Sequence, residues 1–341
     1  DACYVNTGDP LPKGKNAVIM IEDIEDAHTS IIIRKAVHLW ENVRMLGEDI
    51  IESDMIIPKN HLITPYDMGM IISAGIKEIS VRRRPKLLII PTGKELIDIF
   101  CGKDVSLKEG HLIDFNSYIL KKLAEETGFE VKKHEIIREK KELEEIFDNL
   151  VEGFDVTLIN AGTSSGTEDY TEEVIKKSGK ILFHGISMMP GKPTIFGIVK
   201  GKPVFGIPGY PVSATLSFLM LLVPLFERLM GIKRFFEEIE VTTAFKIPSR
   251  IGIEEIIRVN IIPKRDFYFA IPLPRGASVF SSMAKADGLI VVPEHIEGFD
   301  EGERIRCTLL KSSSYIKNRI NLIGSHDIAL DILRDVIRER Y

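Results

Sequence analysis

The chain has 341 residues, 44% of them hydrophobic and 28% charged, enough for two or three domains with their own cores and in the balance expected of a soluble globular protein. A net charge of −5 offers no general attraction to a polyanion, so nucleic acid is not an expected partner. Cys3, Cys101 and Cys307 lie far apart with no CxxC or zinc spacing, which predicts reduced thiols in a cytoplasmic protein.

Residues 1–82 read as short strand-like pieces, such as Asn16 to Ile21 and Ser30 to Arg34, followed by a helix from Pro65. In that helix Met68, Ile71 and Ile72 share one face, and Gly75 sits past its end. The run Arg82-Arg83-Arg84-Pro85 reads as a solvated linker and a boundary.

Residues 86–231 alternate strand with helix. Leu87 to Ile90 is apolar throughout, as a strand buried on both faces requires. Asn116 is placed to cap a helix from Ser117 to Thr127, which Gly128 ends. A strand at Phe129 to His134, a helix at Lys141 to Val151, a strand at Val156 to Asn160, a helix at Glu168 to Lys177 and a strand at Lys180 to His184 follow. A long helix starts at Pro211; its apolar run, Ala214 to Phe226, is too short to span a bilayer and reads as buried, so no membrane partner is expected. Such alternation predicts a parallel sheet whose ligands bind at the carboxyl ends of the strands. Residues 236–310 change to short β runs punctuated by Pro and Gly: Glu238 to Ala244, Ile256 to Ile262, Tyr268 to Leu273, Gly288 to Val292 and Arg304 to Leu309. They predict a small barrel serving packing or dimer support, because no titratable cluster stands out in them.

Three glycine-rich turns follow apolar runs: Gly162-Thr163-Ser164-Ser165-Gly166 after Val156 to Asn160, Pro190-Gly191-Lys192-Pro193 after Ile186 to Met189, and Pro208-Gly209-Tyr210-Pro211-Val212-Ser213 after Val204 to Ile207. Turns of this kind present backbone N–H groups to an anion, and three together with a lysine point to a phosphorylated small molecule. Thr92-Gly93 and Gly162 to Gly166 are the best cradle candidates. Lys192, framed by prolines, is placed as a rigid cation facing that anion.

These motifs also resemble the signature of the MoeA/gephyrin E-domain family, the molybdopterin molybdenumtransferases. The resemblance includes Gly162-x-Ser164-x-Gly166-x-x-Asp169-Tyr170, Thr7-Gly8-x-Pro10, Arg44-x-x-Gly47-Glu48-Asp49, Pro91-Thr92-Gly93-x-Glu95, Asp114-x-Asn116 and Ala286 to Ile290. It implies an enzyme that takes adenylylated molybdopterin, inserts molybdate or tungstate and releases AMP, using Mg2+. It further implies catalytic roles for Asp49, Glu95 and Asp169, with Glu95 and Asp169 on the metal. Thr7, Arg44, Thr92, Gly93, Asp114, Asn116, Gly162, Ser164, Gly166, Lys192, Pro208, Gly209, Pro211 and Ser213 would bind substrate. Asp49 and Arg44 would reach the cleft from a neighbouring subunit of a homodimer, and a molybdopterin adenylyltransferase would be a natural partner. Met189 stands where a lysine often precedes Pro-Gly-Lys-Pro, which removes one cation.

The expected architecture is α/β: a doubly wound, mostly parallel sheet at residues 85–233, flanked by an N-terminal β-rich lid at 1–84 and a small C-terminal β-barrel at 234–312. Residues 313–341 resemble the start of a periplasmic-binding-protein-like domain, as in a fused subfamily, and both ends of the chain look cut. A molybdopterin-binding scaffold, or a regulatory sensor of oxyanion or pterin, stays open as an alternative function.

Overall fold

The computed structural model describes residues 2–27, 30–100, 108–161, 170–233, 236–265, 267–321 and 327–340, and the chain forms two compact units, Asp1–Val81 and Arg82–Tyr341. The first unit carries little regular structure. Strands β1 (Ile24–Asp26) and β2 (Ile31–Ile33) form one antiparallel pair, and all three isoleucines of β2 are exposed. Helix α1 (Pro65–Ser73) begins with a reciprocal cap in which the Thr64 hydroxyl accepts the Asp67 N–H and the Asp67 carboxylate accepts the Thr64 N–H. Of its expected apolar face only Ile71 is buried. The segment Asn16 to Ile21, expected as a strand, is not one; the Val18 N–H donates to the Glu41 carbonyl at 3.1 Å and the Trp40 N–H to the Asn16 carbonyl at 2.6 Å, two long-range bonds that do not extend into a ladder. Among its described residues the unit shows one strand pair, one 3-10 turn and one helix joined by turns, fewer strands than the β-rich reading expects.

The second unit starts on a pinned boundary. The Arg83 guanidinium donates to both Asp155 carboxylate oxygens at 2.5 and 2.7 Å, and Arg82 donates to the Leu229 carbonyl at 2.9 Å. The basic triplet thus anchors the sheet instead of lying loose in solvent.

Strand β3 (Lys86–Thr92) runs through the middle of this unit with Leu87 to Ile90 fully buried. It is followed by β4 (Leu96–Ile97) and β5 (Leu112–Ile113), a small parallel pair, then α2 (Asn116–Thr127), β6 (Glu130–Lys133), α3 (Lys140–Asn149), β7 (Val156–Ala161), α4 (Thr171–Ser178), β8 (Gly179–His184), β9 (Met188–Met189), β10 (Ile195–Val199) and β11 (Lys202–Ile207). The main sheet has the order β6-β3-β7-β11-β10-β8. Its β6, β3, β7 and β11 are mutually parallel, whereas β10 runs antiparallel to both neighbours. The sheet is mixed, and the reason is local. Val199 pairs with Lys202 across a two-residue turn, Lys200-Gly201, with φ of 49° and 76°, the geometry that closes a tight hairpin.

Leu87, Ile89, Val156, Leu158, Phe205 and Ile207 face one core with α2 and the long C-terminal helix of this layer; Leu88, Ile90, Ile159 and Val204 face another with α3 and α4. That helix is α5 (Pro211–Ser217), a π turn (Phe218–Leu222) and α6 (Val223–Met230). The π turn widens the backbone just ahead of Pro224, which has no N–H to donate. The rod is long and apolar enough to cross a membrane by length and composition, but Val212 to Phe218, Leu222, Val223 and Phe226 are buried inside this unit.

The barrel uses β12 (Glu238–Thr243), β13 (Ile247–Pro248), β14 (Glu254–Lys264), β15 (Phe267–Pro272), α7 (Ser281–Lys285), β16 (Gly288–Val292), β17 (Gly298–Phe299) and β18 (Arg304–Leu309). The order β15-β12-β18-β16-β14 is closed by β14 pairing with β15. The start of β14 also pairs in parallel with β9, Glu255 opposite Met189. The run Ile186 to Met189 therefore belongs to the barrel sheet, and Met188, Val212, Leu216, Ile256 and Leu289 form a core shared by barrel and α/β layer.

Helix α8 (Ser313–Lys317) buries Ile316 in the barrel core, and Arg319 and Lys311 both pair with the fully buried Asp287. The barrel thus extends past the boundary expected at residue 312. Helix α9 (Ile328–Arg340) follows, with Ile328, Ile332 and Leu333 exposed.

Candidate functional site

The carboxyl ends of β3, β7 and β11 lie side by side and are laced together. Thr92 Oγ1 donates to the Asn160 carbonyl at 3.4 Å, and Asn160 Nδ2 donates to the Pro208 carbonyl at 3.1 Å. From α2, Asn116 Nδ2 donates to the Gly209 carbonyl at 2.5 Å. Asn116 is free to do so because it does not cap its helix, contrary to expectation. The buried Asp114 carboxylate does that, accepting the Ser117 N–H at 3.1 Å and hydroxyl at 2.5 Å, with Lys133 Nζ 3.7 Å away. Asp114, expected to bind substrate, has the geometry of a cap.

At the β3 end, Gly93 has φ 155°, and its N–H already donates to the Ile137 carbonyl at 3.0 Å. A Cβ at this position would stand 3.1 Å from both Glu95 carboxylate oxygens. Glycine at 93 thus keeps the Glu95 carboxylate uncovered. Glu95 Oε1 is buried and has no hydrogen-bond partner among the described residues.

At the β11 end a cavity of about 290 Å³ opens between the α/β layer and the barrel. Met189 to Pro193, Pro208, Tyr210 and Ser213 line it on one side, and Glu255, Ile256, Arg258 and Arg275 to Ala277 on the other. The Lys192 side chain is exposed at this cavity and has no ion-pair partner among the described residues. Gly191 has φ 127°, a backbone conformation that residues with a Cβ rarely adopt, and this is what requires glycine there. The barrel loop is docked by the Val212 N–H, which donates to the Ala277 carbonyl at 3.0 Å, so the start of α5 gives one of its amides to the barrel. Pro211, next to it, opens the helix with no N–H to offer.

Arg258 is only 2% exposed, and burial draws its pKa below the ordinary guanidinium value. It donates from Nε to Ser282 Oγ at 3.1 Å and from Nη2 to the carbonyls of Pro274, 3.0 Å, and Gly276, 3.4 Å. Arg275 donates from Nη1 to the Pro248 carbonyl at 2.6 Å and to Glu255 at 3.2 and 3.3 Å. Three cations and one carboxylate thus line the cavity, a net charge of +2. The barrel contributes Arg258, Arg275 and Glu255 of these, correcting the expectation that it carries no titratable cluster. One signal was present in the sequence: Arg258 interrupts the apolar run Ile256-Ile257-x-Val259, a charge at a buried strand position.

In the first unit, Arg44 and Asp49 form an exposed pair at 3.6 Å around a turn in which Gly47 has φ 78° and the Met45 N–H donates to the Glu48 carboxylate. Thr7 lies in an exposed turn. Gly162, Ser164, Gly166 and Asp169 lie outside the described residues, as does Cys101. Among the described residues no group of three or more His, Cys, Asp or Glu is placed to hold a metal. Burial pushes the Cys307 thiol up to about 12, which makes it inert.

Three family models match in chain order: the MoeA N-terminal region (domain I and II) at residues 1–75, a probable molybdopterin binding domain at 88–228, and the MoeA C-terminal region (domain IV) at 240–310. A putative molybdopterin biosynthesis protein of Methanocaldococcus jannaschii is 36% identical over 319 residues, covering 91% of this chain and 76% of that protein. A molybdopterin molybdenumtransferase of Haemophilus influenzae is 29% identical over 317 residues, covering 89% of this chain and 76% of its own. A crystal structure of a molybdopterin biosynthesis MoeA protein from Pyrococcus horikoshii superposes with a TM-score of 0.71 at 32% identity, over 89% of this chain and 74% of that one. Matched from its first residues to the barrel, in sequence and in structure, this chain belongs to the MoeA family.

Proposed function

We propose that the chain is a molybdopterin molybdenumtransferase that binds adenylylated molybdopterin at the ends of β3, β7 and β11 and takes molybdate or tungstate in the cationic cavity beside them. The observation that carries this reading is the meeting of three laced strand ends with a cavity of net charge +2. An inorganic dianion fits such a cavity, and the backbone turns suit the phosphates of the pterin partner. The activated bond is the phosphoanhydride of the substrate itself, so no nucleophilic side chain is required. The chain's own residues bind and orient. Asn116 and Asn160 fix the turn carbonyls, Lys192 neutralises anionic oxygens, and Arg258 holds the barrel loop over the cavity.

A divalent cation fits one of these residues. Glu95 Oε1, buried and without a hydrogen-bond partner among the described residues, has the chemistry of an oxygen ligand, and Mg2+ is commonly held by one or two carboxylates plus substrate phosphates. Glu95 would hold it, with Asp169 as its companion; bound there, the ion would offset the charge that develops on the departing AMP phosphate. The likeness to MoeA also supports a homodimer in which Asp49 and Arg44 reach the cleft of the other subunit.

The test is to incubate the protein with adenylylated molybdopterin and Mg2+, with and without molybdate or tungstate, and to assay AMP. Oxyanion-stimulated AMP release is expected. Tight pterin binding with no release would replace this reading by a scaffold.

A further inference from the structure

We infer that Arg275, on the barrel loop, is the residue that grips the oxyanion in the cavity, through the Nε–Nη2 edge of its guanidinium. The inference rests on the reading that the cavity takes a tetrahedral oxyanion, and deepens it by choosing among the three cations. Arg258 is the poorest candidate. Its Nε and Nη2 are occupied by Ser282 Oγ and by the carbonyls of Pro274 and Gly276, so its role is to hold the loop. Lys192 is available, but it is an exposed point charge on a flexible stem. Arg275 differs from both. Only its Nη1 is engaged, by the Pro248 carbonyl and Glu255, and its side chain is 37% exposed. No hydrogen bond occupies Nε or Nη2 among the described residues.

A guanidinium held at one corner presents its opposite edge as two parallel N–H donors. That edge matches two oxygens of a tetrahedral dianion, a pairing that an ammonium cannot make. The holding groups are themselves fixed. Glu255 accepts the Ser249 hydroxyl at 2.8 Å, and the loop carbonyl of Ala277 accepts the Val212 N–H from α5. The fork is therefore oriented before the anion arrives, which lowers the ordering cost of binding. Met189, the register partner of Glu255, adds no competing charge on that flank.

The experiment is calorimetric titration of the full chain with sodium molybdate and, separately, sodium tungstate, without pterin, for wild type, Arg275→Ala, Arg275→Lys and Lys192→Met. Thermal melts check that each variant is folded. Arg275→Ala is expected to weaken binding about ten- to a hundredfold, and Arg275→Lys to recover only a small part of it, since the charge returns without the fork. In turnover, KM for molybdate should rise in Arg275→Lys while kcat stays within about twofold, a split that a merely structural role would not produce. Wild-type affinity in Arg275→Lys would overturn the fork. Wild-type affinity in Arg275→Ala with a loss in Lys192→Met would overturn the role of Arg275 and leave the oxyanion cavity standing. Unchanged affinity in both Arg275→Ala and Lys192→Met would overturn the cavity reading as well.

Discussion

Replacing Glu95 by Gln should move stability and activity in opposite directions. Among the described residues the carboxylate has a buried oxygen with no donor, over a glycine that keeps it uncovered. In the metal-free protein a buried, unpartnered polar atom costs about 1–3 kcal/mol, more when charged. Glu95 as a whole is only half-buried, which puts its share at the low end, about 1 kcal/mol. Glutamine keeps the shape and removes the charge, so the second unit should melt unchanged or about 2 °C higher. If Glu95 holds the divalent cation, the same change removes about 3–4 kcal/mol of transition-state stabilisation, a loss of roughly 10²- to 10³-fold in AMP release. Pterin binding should survive, because the strand-end turns are untouched. The assays are differential scanning calorimetry of the metal-free protein and a Mg2+ titration of AMP release. A variant that melts several degrees lower yet turns over at near the wild-type rate would refute the argument, and would make Glu95 a structural carboxylate.

Three further outcomes are expected. Lys192→Met should weaken both oxyanion and pterin binding, by about tenfold in low salt and less as salt rises, because the side chain is exposed; calorimetry at two ionic strengths measures this. Mixing Asp49→Ala with Glu95→Ala protein should restore AMP release to one cleft of each heterodimer if the cleft is completed across subunits; sedimentation showing only monomer would sink that arrangement. The Arg83 guanidinium, helped by the Lys86 N–H, holds the Asp155 carboxyl down from an ordinary 3.8 to about 2. A depressed carboxyl pKa stabilises the fold above about pH 4 and loses that effect as pH falls toward 2. Allowing for the exposure of Arg83, Asp155→Asn should cost about 1 kcal/mol at pH 7 and nothing near pH 2, as urea melts at both pH values would show.

Much of the framework could be read locally. The apolar run Leu87 to Ile90 became a strand buried on both faces, and Gly128 ended α2 in a left-handed conformation. The five β runs after residue 236 became the five barrel strands within a few residues. These features follow from sterics and solvation over a few residues, which periodicity and turn residues record directly. Local chemistry also held one unread signal, the Lys200-Gly201 turn that makes β10 antiparallel.

The rest required distant partners. Nothing near Met189 announces that its run will pair with β14 of the barrel, 66 positions on at Glu255. Nothing near Asn116 reveals that its amide will hold the Gly209 carbonyl, 93 positions on. The cavity is the clearest case. Lys192 could be singled out from its own turn, but Arg258, Arg275 and Glu255 sit on barrel segments whose local sequence resembles any β-barrel. The sequence by itself determined the elements, the glycine turns and the family. Only tertiary packing decided which charges share one cavity, because convergence of side chains from separate strands depends on pairing and docking that no short stretch of chain encodes.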